Sequence, residues 1–325
     1  MVMNELLEPF AGMLDSAVSP DAIRSLENDG NAQEMWDAVA ASGFLDALVS
    51  EEAGGAGLSL EEVGPLWLEL GRHAVPLPVA ETMVARHLLA QSGQAVPDGP
   101  IALATGDPRK GVLVPYGMVS EHVLFDWGDK LVLLPVAEEN KSPTGVHGDL
   151  TASLRWPDLQ EMPSLPRPSD GLRPIAALIR AGLIAGAADR VLDMTVAYAN
   201  ERVQFGKPIG RQQALQHNLA VMAEDAVSCR IAVEMACSAG LPVGLTAAAV
   251  AKSVAGGAAA RTAASAHAIF GAIGISIEHD LQLYTRNLQG WRLADGSESY
   301  WNEILGSLRS ESDLPSVEWV RNAWF

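Results

Sequence analysis

The stretch Glu201–Gln213 reads Glu-Arg-Val-Gln-Phe-Gly-Lys-Pro-Ile-Gly-Arg-Gln-Gln and joins two long helical patterns. Helical periodicity runs through Ile175–Glu201 before this stretch and resumes from about Gln212 to Gly240 after it. An arginine, an aromatic ring, a lysine and amide side chains therefore meet at one corner between two helices. A guanidinium there can clamp a pyrophosphate, and an aromatic ring can contact a heterocycle. An inter-helix turn with solvated charges explains the same residues about equally well.

This corner belongs to the last of three regions along the chain. Residues 1–99 show the three-four apolar spacing of helices, whereas residues 100–168 carry short apolar runs separated by Gly, Asp and Pro, which is typical of strands. Residues 169–325 return to long helices. We predict a mainly α protein with an N-terminal helical domain (1–99), a small reduced middle β domain (100–168) and a C-terminal four-helix bundle (169–325). Because helices and strands do not alternate, a doubly wound sheet is excluded.

Two local patterns refine this outline. Ser59 with Glu62 three residues later forms a capping box, which predicts the start of a helix. The proline-rich segment Trp156–Pro174 is predicted to be a linker that closes the β domain.

Charge and cysteine usage limit the classes of partner and compartment. The chain has 325 residues, with 22 Lys and Arg against 40 Asp and Glu, a net charge of -18. Such a chain repels phosphate backbones and anionic lipid, so we expect no nucleic-acid partner. Its two cysteines, Cys229 and Cys237, lie roughly 12 Å apart on one predicted helix, too far for a disulfide. This usage suits a reducing compartment.

No stretch of the sequence predicts export or a membrane span. Residues 1–15 carry acids where a signal peptide needs basic residues, and the most apolar later stretch, 246–277, is interrupted by Lys252, Arg261 and His267. We therefore expect a cytoplasmic protein.

Common catalytic and metal-binding motifs are missing. The glycine clusters at 54–57 and 271–274 match neither a dinucleotide fingerprint nor a P-loop. Ser297 has no nucleophile-elbow context. The neighbours Glu278, His279 and Asp280 point apart and are better suited to helix capping than to one metal. No metal site is expected.

The corner and the second glycine cluster together resemble the acyl-CoA dehydrogenase family. These flavoproteins introduce a trans double bond between the α and β carbons of an acyl-CoA thioester. Arg202, Phe205 and Gln213 look like the family's FAD signature, and Ile269–Gly274 looks like its second signature, whose glycine turn, here Gly271, touches the flavin diphosphate.

The resemblance covers nearly the whole chain and is weak only at residues 100–165. Glu52–Ser59 and Glu69–Arg72 are similar to the family's first helical domain. The family's Thr-Glu-x-x-x-Gly-Ser-Asp loop and Trp-Ile-Thr/Ser strand, which pack on the flavin ring, do not occur between Gly99 and Leu165. Ala268 stands where the family has a glutamine that contacts the cofactor.

The position of the family's catalytic base is occupied by an aspartate. Many members use a Glu in a Glu-Gly-Thr segment to remove the α proton while hydride moves to the flavin. Counting 27 residues from position 268 gives Asp295, followed by Gly296 and Ser297. Some relatives carry the base near the start of the first bundle helix, where this chain has Ala176. Asp295 is either a shortened base or a relic on a chain whose catalytic partner lies elsewhere.

The resemblance implies how FAD is held. The equivalents of Arg202, Phe205 and Gln213 reach across a dimer interface, Arg202 to the pyrophosphate and the other two to the adenosine end, while Gly271 permits close backbone approach. A chain that keeps this corner but lacks the flavin-ring motifs resembles the shorter subunit of the heterotetrameric (α2β2) steroid-CoA type.

The expected function is therefore that of one subunit of a heteromeric, FAD-dependent acyl-CoA dehydrogenase. It would pair with a larger homologous subunit, share FAD across the interface and desaturate an acyl-CoA with a steroid side chain or another bulky acyl group. Electron-transfer flavoprotein or another acceptor would take the electrons. The alternatives are a self-sufficient homo-oligomer with Asp295 as base, and a non-catalytic scaffold that has lost flavin.

Overall fold

The computed structural model describes residues 2–29, 31–156, 162 and 164–324. The chain separates into two compact units, Met1–Leu66 with Val75–Ala176 and Trp67–Ala74 with Ala177–Phe325. The division into three domains stays a prediction.

The first unit begins with helices, as the apolar spacing predicts. Their bounds are Val2–Ala17 (α1), Pro20–Asp29 (α2), Gln33–Ala41 (α3), Leu60–Arg72 (α4, in this unit to Leu66) and Val79–Gln91 (α5). The predicted capping box is confirmed at the start of α4. The Glu62 carboxylate accepts hydrogen bonds from the Ser59 backbone N–H and hydroxyl at 2.8 Å, and these bonds lower its pKa.

The strands of this unit form two small sheets. They are Ile101–Thr105 (β1), Val112–Val114 (β2), His122–Trp127 (β3), Lys130–Pro135 (β4), Lys141–Pro143 (β5), Ala152–Leu154 (β6) and Ser164–Pro166 (β7). One sheet has the order β1-β3-β4-β7, with β1 and β3 parallel and the other pairs antiparallel; the second has the antiparallel order β2-β6-β5. Buried side chains including Val123, Phe125 and Trp156 form their core.

The prediction of a linker from Trp156 to Pro174 is wrong for its middle part. Ser164–Pro166 is strand β7, which pairs with β4 through Leu131 opposite Leu165. Leu165 is buried and anchors this short edge strand despite the prolines around it. Residues 157–161 and 163 of the expected linker lie outside the described residues.

The second unit contains the helical bundle. Its elements are the long helix Arg173–Glu201 (α6, in this unit from Ala177), the two-residue strands Val203–Gln204 (β8) and Lys207–Pro208 (β9), and the helices Gln213–Ser238 (α7), Leu245–Phe270 (α8), Leu281–Leu293 (α9), Glu298–Ser310 (α10) and Ser316–Trp324 (α11). The Ala-rich helix α8 packs against α7, α9 and α10, because its small side chains permit close approach.

Two further observations agree with the sequence, one on α7 and one on all described helices. Cys229 and Cys237 both lie on α7, where they are buried and not bridged, and burial raises the pKa of the Cys229 thiol to about 12. Across the part of the chain that the structure describes, no helix combines the length and apolarity needed to span a bilayer.

Candidate cofactor corner and base position

The end of α6 turns into a tight hairpin that presents Phe205 to solvent. The Arg202 N–H continues the helical pattern by donating to the Tyr198 carbonyl at 2.9 Å, after which β8 and β9 pair. The two residues between them, Phe205 and Gly206, have φ angles of 52° and 77°, the positive pair typical of a type I′ turn. Phe205 is 90% exposed. The hairpin turn therefore presents an aromatic ring to solvent.

The start of α7 adds polar groups to the same corner. Gln213 is the first residue of α7 and is exposed, as is Arg202. The segment between them is fixed locally, since the Gln216 side-chain amide donates to the Gly210 carbonyl at 3.0 Å. The corner therefore offers a guanidinium and a side-chain amide beside the exposed ring.

The glycine turn at the end of α8 lies next to this corner. The Tyr198 ring stacks on Phe270, with centroids 4.2 Å apart and planes 17° apart, and the Tyr198 hydroxyl donates to the Phe270 carbonyl at 3.4 Å. Gly271 follows directly, with φ 65° and ψ -143°, and a Cβ added there would meet no atom within 4 Å. Its backbone is thus open to close approach. The stacked rings therefore join the end of α6, which carries Arg202, to the glycine turn at Gly271.

Asp295 lies in the turn between α9 and α10, where its carboxylate is held by a buried arginine. Its Oδ2 accepts from the Arg180 Nε at 3.0 Å, with side-chain exposures of 1% for Arg180 and 10% for Asp295. Its φ angle is 57°, in the left-handed region, and its carbonyl accepts from the Trp301 indole N–H at 3.1 Å. The carboxylate that occupies the family's base position is therefore engaged in a buried ion pair.

Lys252 on α8 lies beneath the same turn. Its side chain is fully buried, and the Nζ donates to the carbonyls of Trp291, Arg292 and Gly296, each at 2.8 Å. Burial lowers the pKa of Lys252 from 10.5 to about 7, although the carboxylates of Asp295 and Glu298 act in the opposite direction; Arg180 and Arg292 lower it further. Below that pKa the side chain is a buried ammonium whose partners are backbone carbonyls.

The cofactor corner and the Asp295 turn lie far apart within one chain. Lys252, beneath the turn, is separated from Phe270, beside the corner, by 18 residues of α8, which corresponds to about 27 Å. Arg180 and Glu201 are separated by about 32 Å along α6 by the same rise per residue. Arg202, Phe205 and Gln213 lie along the connection between α6 and α7, Gly271 follows the ring that stacks on Tyr198, and Asp295 lies in the separate α9–α10 turn.

Arg180 and Lys252 were not predicted as site residues. Each is a single cation within an apolar stretch of helix. Because a buried charge needs partners, this pattern predicts that both side chains are buried and bonded to other groups. Their partners come from the end of α9 and from the α9–α10 turn, and Asp295 is more than a hundred residues from Arg180 in sequence. No local spacing connects them.

The remaining candidates have structural roles. His279 Nδ1 accepts from the Leu281 N–H at 3.1 Å, so it caps the start of α9 as predicted. Ala176, where some relatives carry a base, is a buried helical residue, and Ala268 is exposed in the last turn of α8. Among the residues that the structure describes, no three His, Cys, Asp or Glu side chains are placed to hold a metal ion.

Two protein-family models match the chain. The Acyl-CoA dehydrogenase N-terminal domain matches residues 4–95, and the Acyl-CoA dehydrogenase C-terminal domain matches residues 176–307. The chain belongs to the acyl-CoA dehydrogenase family, whose members are FAD-dependent oxidoreductases.

Individual relatives agree with this assignment. Acyl-CoA dehydrogenase IpdE2 of Mycolicibacterium smegmatis is 32% identical over 297 residues, covering 88% of this chain and 92% of that protein. A chain from the ChsE4-ChsE5 complex of Mycobacterium tuberculosis has the same fold, with a TM-score of 0.83 and 21% identity over 96% of this chain and 98% of that one. A chain from the Tcur3481-Tcur3483 steroid ACAD gives a TM-score of 0.80 and 24% identity, covering 95% and 98%.

Proposed function

We propose that this chain is one subunit of a heteromeric acyl-CoA dehydrogenase and supplies its exposed corner to FAD bound mainly by a larger homologous subunit. The observation that carries the proposal is that the chain presents an exposed cofactor corner while the carboxylate at its base position is bonded to the buried Arg180. Such a chain can contribute groups to a flavin held by another subunit, whereas its own carboxylate at the base position already has an arginine as its partner.

The groups at the corner fit the adenosine diphosphate part of FAD. An exposed guanidinium at Arg202 matches the charge and geometry of a pyrophosphate. The open backbone at Gly271 allows a phosphate to approach, and the exposed ring of Phe205 can cover an adenine. Gln213 adds an amide that can donate or accept. When bound, the flavin would supply the hydride acceptor for the desaturation.

The surface beside the corner also supports a partner. Ile273, Ile275 and Ile277, which follow the glycine turn, are all exposed, as are Val203 and Phe205. Apolar side chains clustered on a surface mark a place where another molecule docks. In the proposed assembly, the larger subunit and its cofactor cover these side chains.

For Asp295 we propose a structural role. Its Oδ2 is occupied by Arg180, the pair is buried, and the turn that carries it is bound from below by Lys252. A general base needs an oxygen within hydrogen-bond reach of the substrate's α carbon, and this carboxylate is directed at a guanidinium instead. The α proton would then be removed by a carboxylate of the larger subunit.

The substrate class is proposed from the relatives. The fold matches a chain of a protein described as a steroid ACAD and a chain of a two-component complex, which supports a bulky acyl-CoA, such as one with a steroid side chain, and an unlike partner. Electron-transfer flavoprotein is the electron acceptor we expect.

The visible spectrum of the purified protein tests the proposal. The chain expressed alone should be colourless or contain little flavin, and co-expression with a larger homologue encoded beside it should give a co-purifying flavoprotein. Full flavin occupancy in the chain alone would favour the self-sufficient homo-oligomer. Co-purification without flavin or turnover of any acyl-CoA would favour the non-catalytic scaffold.

A further inference from the structure

We infer that Lys252 is a positioning residue, whose ammonium fixes the backbone of the α9–α10 turn and so directs the Asp295 carboxylate to Arg180. The inference rests on the proposed function only for the meaning of position 295, and its contacts stand on their own. Nothing in the sequence motifs of the family points to Lys252.

The hydrogen bonds of Lys252 are complete and all go to backbone. An ammonium has three N–H donors, and here each meets a carbonyl at 2.8 Å. Two of these carbonyls, of Trp291 and Arg292, belong to the last turn of α9, and the third, of Gly296, precedes the cap of α10. One side chain therefore ties the end of one helix to the start of the next.

The turn between α9 and α10 has a backbone conformation that is stable only when neighbouring groups hold it. Asp295 has a φ of 57° and Gly296 a φ of 104°, and an L-residue adopts the left-handed region only at a cost. Such outliers persist where the surrounding structure determines them fully. The Trp301 indole supplies a second constraint by donating to the Asp295 carbonyl.

The charged groups around the turn explain why Lys252 donates to backbone carbonyls and not to a carboxylate. The groups that influence its ammonium are the carboxylates of Asp295 and Glu298 and the guanidinium groups of Arg180 and Arg292. Each carboxylate is already bonded to an arginine, Asp295 to Arg180 and Glu298 to Arg292. With its donors on carbonyls, Lys252 orients the turn and leaves the carboxylate to Arg180.

A triple-mutant analysis of the full chain tests this inference. The coupling between Arg180→Met and Asp295→Ala, measured by urea unfolding of the single and double variants below pH 7, where Lys252 is charged, is determined first with Lys252 present and then in the Lys252→Met background. We expect a coupling of about tenfold in the unfolding equilibrium constant with Lys252, reduced to near unity without it. Lys252→Gln, which keeps two donors, should give an intermediate value.

Lys141→Met is the matched control. Lys141 is a partly buried lysine in the first unit whose Nζ donates to the Met118 carbonyl, and its loss should leave the Arg180–Asp295 coupling unchanged. Hydrogen exchange should accelerate by about tenfold at residues 294–297 in Lys252→Met, with little change elsewhere in the bundle.

Three results would overturn the inference. The first is an unchanged coupling in Lys252→Met, and the second is exchange that accelerates equally across all helices. The third is a failure of both Lys252→Met and Lys252→Gln to fold, because Lys252 would then support the whole unit instead of one turn. None of these readouts requires flavin or substrate, so they are independent of the proposed function.

Discussion

Asp295 and Phe205 both have a positive φ angle, but the side-chain contacts that stabilise it differ between them. Asp295 is tied to Arg180, Trp301 and the turn above Lys252, whereas Phe205 is exposed at the tip of a hairpin. Glycine adopts this backbone conformation without strain. Substitution by glycine at both positions therefore removes the same strain and separates the contribution of the ion pair.

We predict that Asp295→Gly is destabilising although it relieves the backbone. Removing the carboxylate leaves the buried charge of Arg180 without this partner, which costs about 3–5 kcal/mol, against a gain of about 1 kcal/mol from the backbone. Urea unfolding measures the difference. Phe205→Gly is the control and should be neutral or slightly stabilising; equal effects at the two positions would show that the ion pair contributes nothing.

At the scale of the element, helix α8 carries a titratable group in its core. The pKa of Lys252 is lowered to about 7 in the folded protein and returns to its ordinary value of 10.5 on unfolding. Between these values the unfolded chain binds a proton that the folded chain does not, so stability rises with pH. Below pH 7 the lysine is charged in both states and this contribution is constant.

We therefore expect the free energy of unfolding to rise between pH 7 and 9 relative to that of Lys252→Met. The slope of this difference should approach that of about one proton, roughly 1 kcal/mol per pH unit. Chemical denaturation at several pH values measures it, and the variant removes the shared contributions of histidines and carboxylates. Parallel curves for the two proteins would mean that Lys252 stays charged throughout.

The sequence predicted these elements unevenly, and the reasons are physical. The helices around Glu201–Gln213 were predicted to within a few residues, because periodicity is a local signal. Strand β7 was missed because a single buried Leu165 among prolines gives no alternating pattern. The Arg180–Asp295 pair was missed because its partners are distant in sequence, and no local rule shows that Phe205 adopts a turn conformation that usually requires Asn, Asp or Gly.

At the scale of the whole molecule, the two sites should respond independently to mutation. In the assembled enzyme, we expect Arg202→Ala to lower flavin retention by about tenfold, since hydrogen bonds to a charged group are worth about 1.5–3 kcal/mol. Asp295→Asn should leave both flavin content and kcat within about twofold, because the amide oxygen still accepts from Arg180 and no proton is transferred there.

The ratio of flavin to protein absorbance after gel filtration, together with dye-coupled turnover, measures both effects. Val146→Ala, an exposed apolar residue of the first unit, serves as the control for surface truncation. A loss of turnover in Asp295→Asn with flavin retained would return Asp295 to the role of base, and retention of flavin through dilution in Arg202→Ala would contradict the pyrophosphate contact.

The burial of both native thiols makes the molecule convenient for spectroscopy. Cys229 and Cys237 are shielded on α7, and the pKa of Cys229 near 12 keeps its reactive thiolate scarce at neutral pH. A cysteine introduced at the exposed Gln204 of the hairpin would then take up a maleimide dye selectively. Its emission would report in real time when another subunit arrives at the hairpin, without removal of either natural cysteine.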